Sequence, residues 1–152
     1  MKLWLAAVGR AKPGPEQDLY HQYVRRLAAP ITLREVEEKR PLPMAARMAR
    51  EAELLLAAIP ERAVVVALDQ RGKSMGSEDF AAQIGRWRDD GVADLAFLIG
   101  GADGHGEEVR ARAQLLLSFG AMTWPHMLVR AMLAEQVWRA QAILSGHPYH
   151  RA

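Results

Sequence analysis

The sequence predicts an α/β fold in which a parallel-rich sheet carries helices on both faces. Three observations lead there. Short apolar runs alternate with segments of helical periodicity along the whole chain. One run, Ala63-Val64-Val65-Val66-Ala67-Leu68, is apolar at every position, as a central strand covered on both faces must be. No repeat, low-complexity tract or polar linker breaks the alternation, and 152 residues, half of them hydrophobic, suit a single domain over 1–152.

The elements follow in order. Lys2 to Val8 is apolar and short, and Arg10 and Lys12 come directly after it, so it reads as a buried first strand and not as a signal peptide. Pro13 and Pro15 make a turn into a helix from about Glu16 to Leu27, with Leu19, Tyr23, Val24 and Leu27 on one face. Ile31 to Val36 alternates apolar and polar side chains, as a half-exposed strand does. Pro43 suits an early helix position, and Met44 to Ala58 carries Ala, Met and Leu at helical spacing. After the Ala63–Leu68 strand, Asp69 to Gly76 reads as a turn-rich loop. Ser77, followed by Glu78 and Asp79, has the chemistry of an N-cap for a helix to about Arg88. Leu95 to Ile99 is a strand, Gly100 to Gly106 a glycine-rich turn, and Glu107 to Gln114 a helix. Leu115 to Met122 contains one further short strand. Pro125 opens the longest helix, which reaches about Leu144 and is stopped by Gly146 and Pro148.

Composition removes several classes of chemistry. The absence of cysteine excludes disulfides, zinc–thiolate sites and thiol nucleophiles, and a cytoplasmic protein with no membrane span is the expectation. The formal charge of +2 permits contact with nucleic acid without demanding it. His105, His126, His147 and His150 match no zinc spacing, so no metal is expected. No Gly-x-Ser-x-Gly elbow supports a serine hydrolase.

Ligands of open parallel sheets sit beyond the carboxyl ends of the strands. That rule places Leu68 and the loop after it, Gly100–Gly106, and Ala121–His126 around one candidate pocket. The turn Gly100-Gly101-Ala102-Asp103-Gly104-His105-Gly106 has the wrong glycine order for a dinucleotide fingerprint. The acidic ribose partner about 20 residues on is missing, and so is a Gly-x-x-x-x-Gly-Lys phosphate loop. Taken alone, the turn is as well explained by a tight strand-to-helix connection. His126 at a helix start is ordinarily a capping or packed residue. The tail His147-Pro148-Tyr149-His150-Arg151 is unusual, because chain ends normally carry small polar residues. A rigid residue, an aromatic ring, two imidazoles and a guanidinium suit stacking on a base and gripping its phosphate, or a docked terminus that only packs.

Taken together, several segments carry a family resemblance. They are Lys2-Leu3 to Val8-Gly9, Leu68-Asp69 with Gly72-Lys73, Leu98-Ile99-Gly100-Gly101-Ala102-Asp103-Gly104 and Thr123-Trp124-Pro125-His126. Leu128-Val129-Arg130, Ala134-Glu135-Gln136, Trp138-Arg139-Ala140 and the closing His147–Arg151 complete the set. The chain resembles the bacterial 23S rRNA (pseudouridine-N3)-methyltransferases of the knotted SPOUT class, over its whole length. The resemblance implies a C-terminal trefoil knot, S-adenosyl methionine as methyl donor, a homodimer, and 23S rRNA within the assembled ribosome as substrate. By matching positions it implies a cofactor site at Leu68, Gly101, Ala121, Met122, Thr123, Trp124, Pro125 and His126. It further implies substrate contact or catalysis by Arg130, Glu135, His147, Tyr149, His150 and Arg151, with the tail of one subunit completing its partner's pocket. Glu135 and His150 are the candidates for the base.

Two other readings stand beside this one. A non-catalytic ribosome- or RNA-binding protein of the same fold would bind its target without S-adenosyl methionine. A dinucleotide-dependent enzyme is opposed by the glycine order already noted.

Overall fold

The computed structural model describes residues 1–151. Five strands and five helices alternate: β1 (Lys2–Val8), α1 (Pro15–Val24), β2 (Ile31–Val36), α2 (Met44–Ala57), β3 (Val64–Ser74), α3 (Ser77–Asp89), β4 (Asp94–Ile99), α4 (Glu107–Arg112), β5 (Leu115–Ser118) and α5 (His126–Ser145). The strands form one sheet in the order β2-β1-β4-β3-β5, and every neighbouring pair is parallel. The predicted class is therefore the observed one. β2, whose sequence alternates, lies at an edge, whereas β3, apolar from Val64 to Leu68, lies between β4 and β5.

Side chains of successive strand residues point to opposite faces, which divides the core in two. Leu3, Leu5 and Ala7 of β1, Val66 of β3, and Leu95, Phe97 and Ile99 of β4 pack with Tyr20, Phe80, Ile84, Leu133 and Val137 beneath α1, α3 and α5. Ala6, Val65, Ala67, Ala96 and Leu98 face the other way, toward Ala52, Leu55, Ile59 and Val109 from α2, α4 and their flanks. Helices thus cover both faces, and the central strands bury nearly all their side chains.

The structure corrects four local expectations. α1 stops at Val24 instead of Leu27, because Arg26 and Leu27 close i→i+3 turns onto Tyr23 and Val24. α4 ends before Gln114, whose N–H donates to the Val65 carbonyl while its side-chain oxygen accepts from the Val65 N–H, so Gln114 joins the sheet. Ser77 is not a cap: Gly76 holds that position, and the Ser77 hydroxyl donates to Gln136 Oε1 at 2.8 Å.

The fourth correction matters most. Asp69–Ser74, expected as a loop, continues β3 in extended form past the end of β4. β3 pairs with β5 twice, through Val66↔Leu115 to Leu68↔Leu117 and again through Lys73↔Leu117 and Ser74↔Ser118, with an irregularity between. Gly72 makes this possible. A Cβ there would stand 2.6 Å from the Leu116 carbonyl carbon and oxygen, so only a residue without a side chain lets the backbones approach so closely. Gly72→Ala is expected to destabilise the protein by about 1–3 kcal/mol, as overpacking does. Urea unfolding followed by circular dichroism checks this; an unchanged midpoint would mean the crossing is loose.

Candidate active site

The carboxyl ends of β3, β4 and β5 enclose a half-open cavity of about 500 Å³, within the range of small-molecule sites. Leu68, Ile99, Leu117, Phe119 and Val129 give it an apolar wall, and the backbone of Gly100–Gly106 forms a polar one. Leu68, Gly101, Thr123, Trp124 and His126 all line this one space, although they lie up to 58 positions apart in sequence. Ala121, Met122 and Pro125 do not line it: they are exposed, and Met122 contributes its carbonyl to a hydrogen bond from Gln70. Gln70 also donates to the Thr123 hydroxyl at 3.1 Å, and Trp124 Nε1 donates to the Phe119 carbonyl. These bonds tie the β5–α5 turn to the extension of β3 at the cavity mouth.

The polar wall is a tight turn. The Gly104 N–H bonds the Gly101 carbonyl, Gly104 takes φ +80°, and a Cβ at Gly100 would press on the Gly104 carbonyl. α2 braces it from behind. Arg47 donates to Asp103 Oδ2 at 2.6 Å, and Met48 lies against Gly106. Both carboxylate oxygens of Glu51 stand 2.9 Å from where a Gly101 Cβ would be. Glu51 is 8% exposed, and its Oε1 has no hydrogen-bond partner. Burial raises its pKa, against the opposing pull of the Arg47 charge and with added repulsion from Asp103.

Two further groups fix the electrostatics. His105 is buried, and its Nε2 lies 3.1 Å from the Leu98 carbonyl oxygen, so Nε2 must carry the proton. Burial lowers its pKa despite that bond, and the ring is neutral. The Asp69 carboxyl is also buried, which alone would raise its pKa. The Arg71 guanidinium and N–H, with Arg110 beside them, outweigh burial and hold it below the usual range. The cavity therefore presents a fixed carboxylate, backbone polar groups and an apolar wall.

The tail residues occupy a different place. None of His147, Tyr149, His150 or Arg151 lines the cavity. The tail folds along α5, where Trp138 packs edge-on to His147 and at a tilt to Tyr149. Glu135 Oε1 accepts from Arg139 at 2.5 Å and from the Tyr149 hydroxyl at 3.1 Å. Arg139 also reaches His150 Nδ1 at 3.0 Å and lies over the Tyr149 ring, and His150 Nε2 is 3.4 Å from Glu78. Burial, then the Glu135 carboxylate, push the Tyr149 phenol up to about 12, so it remains a donor. Arg151 is exposed. Arg130 stands apart from this cluster: it is 3% exposed, in an ion pair with Glu35 at 2.5 Å, and its Nη2 donates to the Gly9 carbonyl.

Comparison with known proteins fits this geometry. The family described as "Predicted SPOUT methyltransferase" matches residues 1–150. The chain belongs to the SPOUT methyltransferase family. Among curated relatives, the "Ribosomal RNA large subunit methyltransferase H" of Paramagnetospirillum magneticum is 68% identical over 151 residues, covering 99% of each chain. The protein of the same name from Rhodospirillum centenum is 62% identical over the full length of both. A distant likeness, at 13% identity and a TM-score of 0.48, is to the crystal structure of the SpoU methyltransferase AviRb from Streptomyces viridochromogenes, covering 95% of this chain and 61% of that one.

For a SPOUT methyltransferase, the sequence places Asp69, Gln70 and His105 in the loops around the pocket without giving them a role, and Arg47 and Glu51 of α2 escape it. Asp69 directly follows the apolar run that ends at Leu68, and His105 lies in the glycine-rich turn between β4 and α4. Glu51 had no signal, because one Glu on an amphipathic helix looks solvated. No helix of the described residues is long and apolar enough to cross a membrane, and no cluster of three potential metal ligands occurs among them.

The raised pKa of Glu51 gives a pH prediction. A carboxyl whose folded pKa lies above its unfolded value binds its proton more tightly in the native state. Stability is then lost as pH rises through the window from the unfolded value, about 4.3, to the folded one. Glu51→Gln removes this loss, so the Tm difference between variant and wild type should grow more positive from pH 4 to pH 7. Differential scanning calorimetry checks this, and a difference constant with pH would show that Glu51 does not carry the shift.

Proposed function

We propose that this protein transfers a methyl group from S-adenosyl methionine to N3 of a pseudouridine in large-subunit ribosomal RNA. It acts as a cytoplasmic homodimer on the assembled ribosome. The observation that carries this reading is the single cavity formed by Leu68, Gly101, Thr123, Trp124 and His126 in a chain of the SPOUT methyltransferase family. Full-length relatives named ribosomal RNA large subunit methyltransferase H support the RNA substrate.

The residues of the cavity fit the donor. Its apolar wall suits an adenine ring, and backbone groups of Gly100–Gly106 suit the polar edge and ribose. S-adenosyl methionine supplies a methyl on a positively charged sulfur, already activated for transfer. The protein's work is alignment and exclusion of water. Leu117, Phe119 and Val129 keep water from one side, and the Gln70 bonds to Met122 and Thr123 hold the mouth in place.

The imide proton of N3 must also leave, and Glu135 or His150 is the group to accept it. Glu135 and the tail side chains are the groups assigned to substrate, and in one chain they lie on α5 away from that chain's own cavity. That separation supports an arrangement in which each subunit's tail serves its partner's cavity. Tyr149, held protonated beside Glu135, donates; Arg139 and Arg151 favour an anionic ring. A trefoil knot in the C-terminal half belongs to the same reading.

Calorimetry with S-adenosyl methionine and mass spectrometry of methylated rRNA test the proposal. Cofactor binding is expected, and intact ribosomes should be methylated far better than free rRNA. Removal of the residues after Gly146 should cut methylation about 10²-fold or more, in the range of general acid–base groups, with cofactor binding retained. Absence of cofactor binding would leave a non-catalytic RNA-binding protein, and full activity of the truncation would remove the tail from the mechanism.

A further inference from the structure

A second groove lies on the other side of the α5 N-terminus. It has a volume of about 440 Å³ and runs between the β1–α1 loop, α1, β2 and the first turn of α5. Arg10, Lys12, Tyr20, His21, His126 and Arg130 line it, and His126 and its neighbours separate it from the methyltransferase cavity.

The donors in this groove outnumber its free acceptors. Arg130 is more than nine-tenths buried. Its Nη1 is engaged by Glu35 and its Nη2 by the Gly9 carbonyl, and its Nε has no partner. The Tyr20 hydroxyl, in a side chain 5% exposed, is also without a partner. α5, a 20-residue helix, begins without a side-chain cap and without an acidic residue in its first turn, so no side chain of that turn opposes the dipole at its leading N–H groups. Lys12 makes no ion pair among the described residues, and Arg10 makes only an exposed one to Glu37 at 3.4 Å. Two carboxylates also line the groove. Glu35 is already bound to Arg130 and to the Ala11 N–H, and Glu16 is exposed in the first turn of α1.

We propose that this groove is a phosphodiester subsite for the RNA strand that carries the target nucleotide. The rim cations Arg10 and Lys12, with the first N–H groups of α5, grip the phosphate. Arg130, beneath, adds positive field and fixes the loop through the Gly9 carbonyl, and the unpartnered Tyr20 hydroxyl supplies a further donor. Arg130 is thereby a positioning residue for RNA, acting through the β1–α1 loop. The inference rests on the RNA methyltransferase reading and adds a location to it.

The test uses the full-length protein on intact ribosomes. Arg10→Ala with Lys12→Ala should raise KM for ribosomes about ten-fold, leaving the cofactor Kd as in wild type. The slope of log(kcat/KM) against log[salt] should fall by about 1 for each phosphate that the variant no longer neutralises. Tyr20→Phe is the check against a merely structural role, because it deletes an unpartnered buried hydroxyl and should not lower Tm. With a phosphate above it, this variant should still raise KM two- to five-fold. Unchanged KM and salt slope in the double variant would overturn the subsite. So would a Tyr20→Phe protein with wild-type KM, which would show that the hydroxyl meets no phosphate. A wild-type protein that methylates no RNA would instead count against the functional reading itself.

Discussion

The structure depends on how closely backbone can approach backbone at the carboxyl edge of a parallel sheet. β3 does not leave the sheet at Leu68 but continues over β5, and β4 turns back on itself immediately after Ile99. Both paths need glycine, at Gly72 against Leu116 and at Gly100 and Gly101 against Gly104 and Glu51. Side chains at these points would push the walls apart and open the cavity. The site is therefore a consequence of main-chain packing first, and side chains are added to a frame already set.

That frame is held by charges in small groups. Arg47 with Asp103, Arg110 with Asp69 and Arg130 with Glu35 each join separate segments, while Arg71 pairs with Asp69 along β3 and Arg139 with Glu135 one turn away on α5. The half-buried pairs matter more than surface ones, since removing one partner strands the other in a poorly solvated place. Arg130 illustrates the point. Its pair with Glu35 and its bond to Gly9 tie β2 and the start of the β1–α1 loop to α5, so loss of the guanidinium leaves a half-buried carboxylate without its cation.

Much of the fold was legible because periodicity reports burial directly. The all-apolar run at Val64–Leu68 became an inner strand, the alternating Ile31–Val36 an edge strand, and Gly146 took the left-handed position that ends α5. Asp69–Ser74 misled because its polar side chains and glycine are turn signals, yet pairing with β5 is satisfied by backbone alone and leaves no mark on composition. At the site, Leu68, Gly101, Thr123, Trp124 and His126 converge as expected from sheet geometry and family resemblance. Ala121 and Met122, adjacent in sequence, point elsewhere, because facing in a turn is decided residue by residue. Glu51 stayed hidden for a related reason: helical spacing shows which face is buried, not what lies opposite.

Net charge is the least informative quantity in this chain. A total of +2 suggests weak interest in RNA, yet the sum hides how the cations are used. Arg40, Arg47, Arg50, Arg71, Arg110, Arg130 and Arg139 all face carboxylates and serve the fold. On the proposed reading, recognition falls to Arg10 and Lys12, which lie outside those pairs beside a rigid helix start. If the proposed recognition of an assembled particle holds, this economy serves it, because a strongly basic surface would hold any nucleic acid equally well and slow the search for one nucleotide.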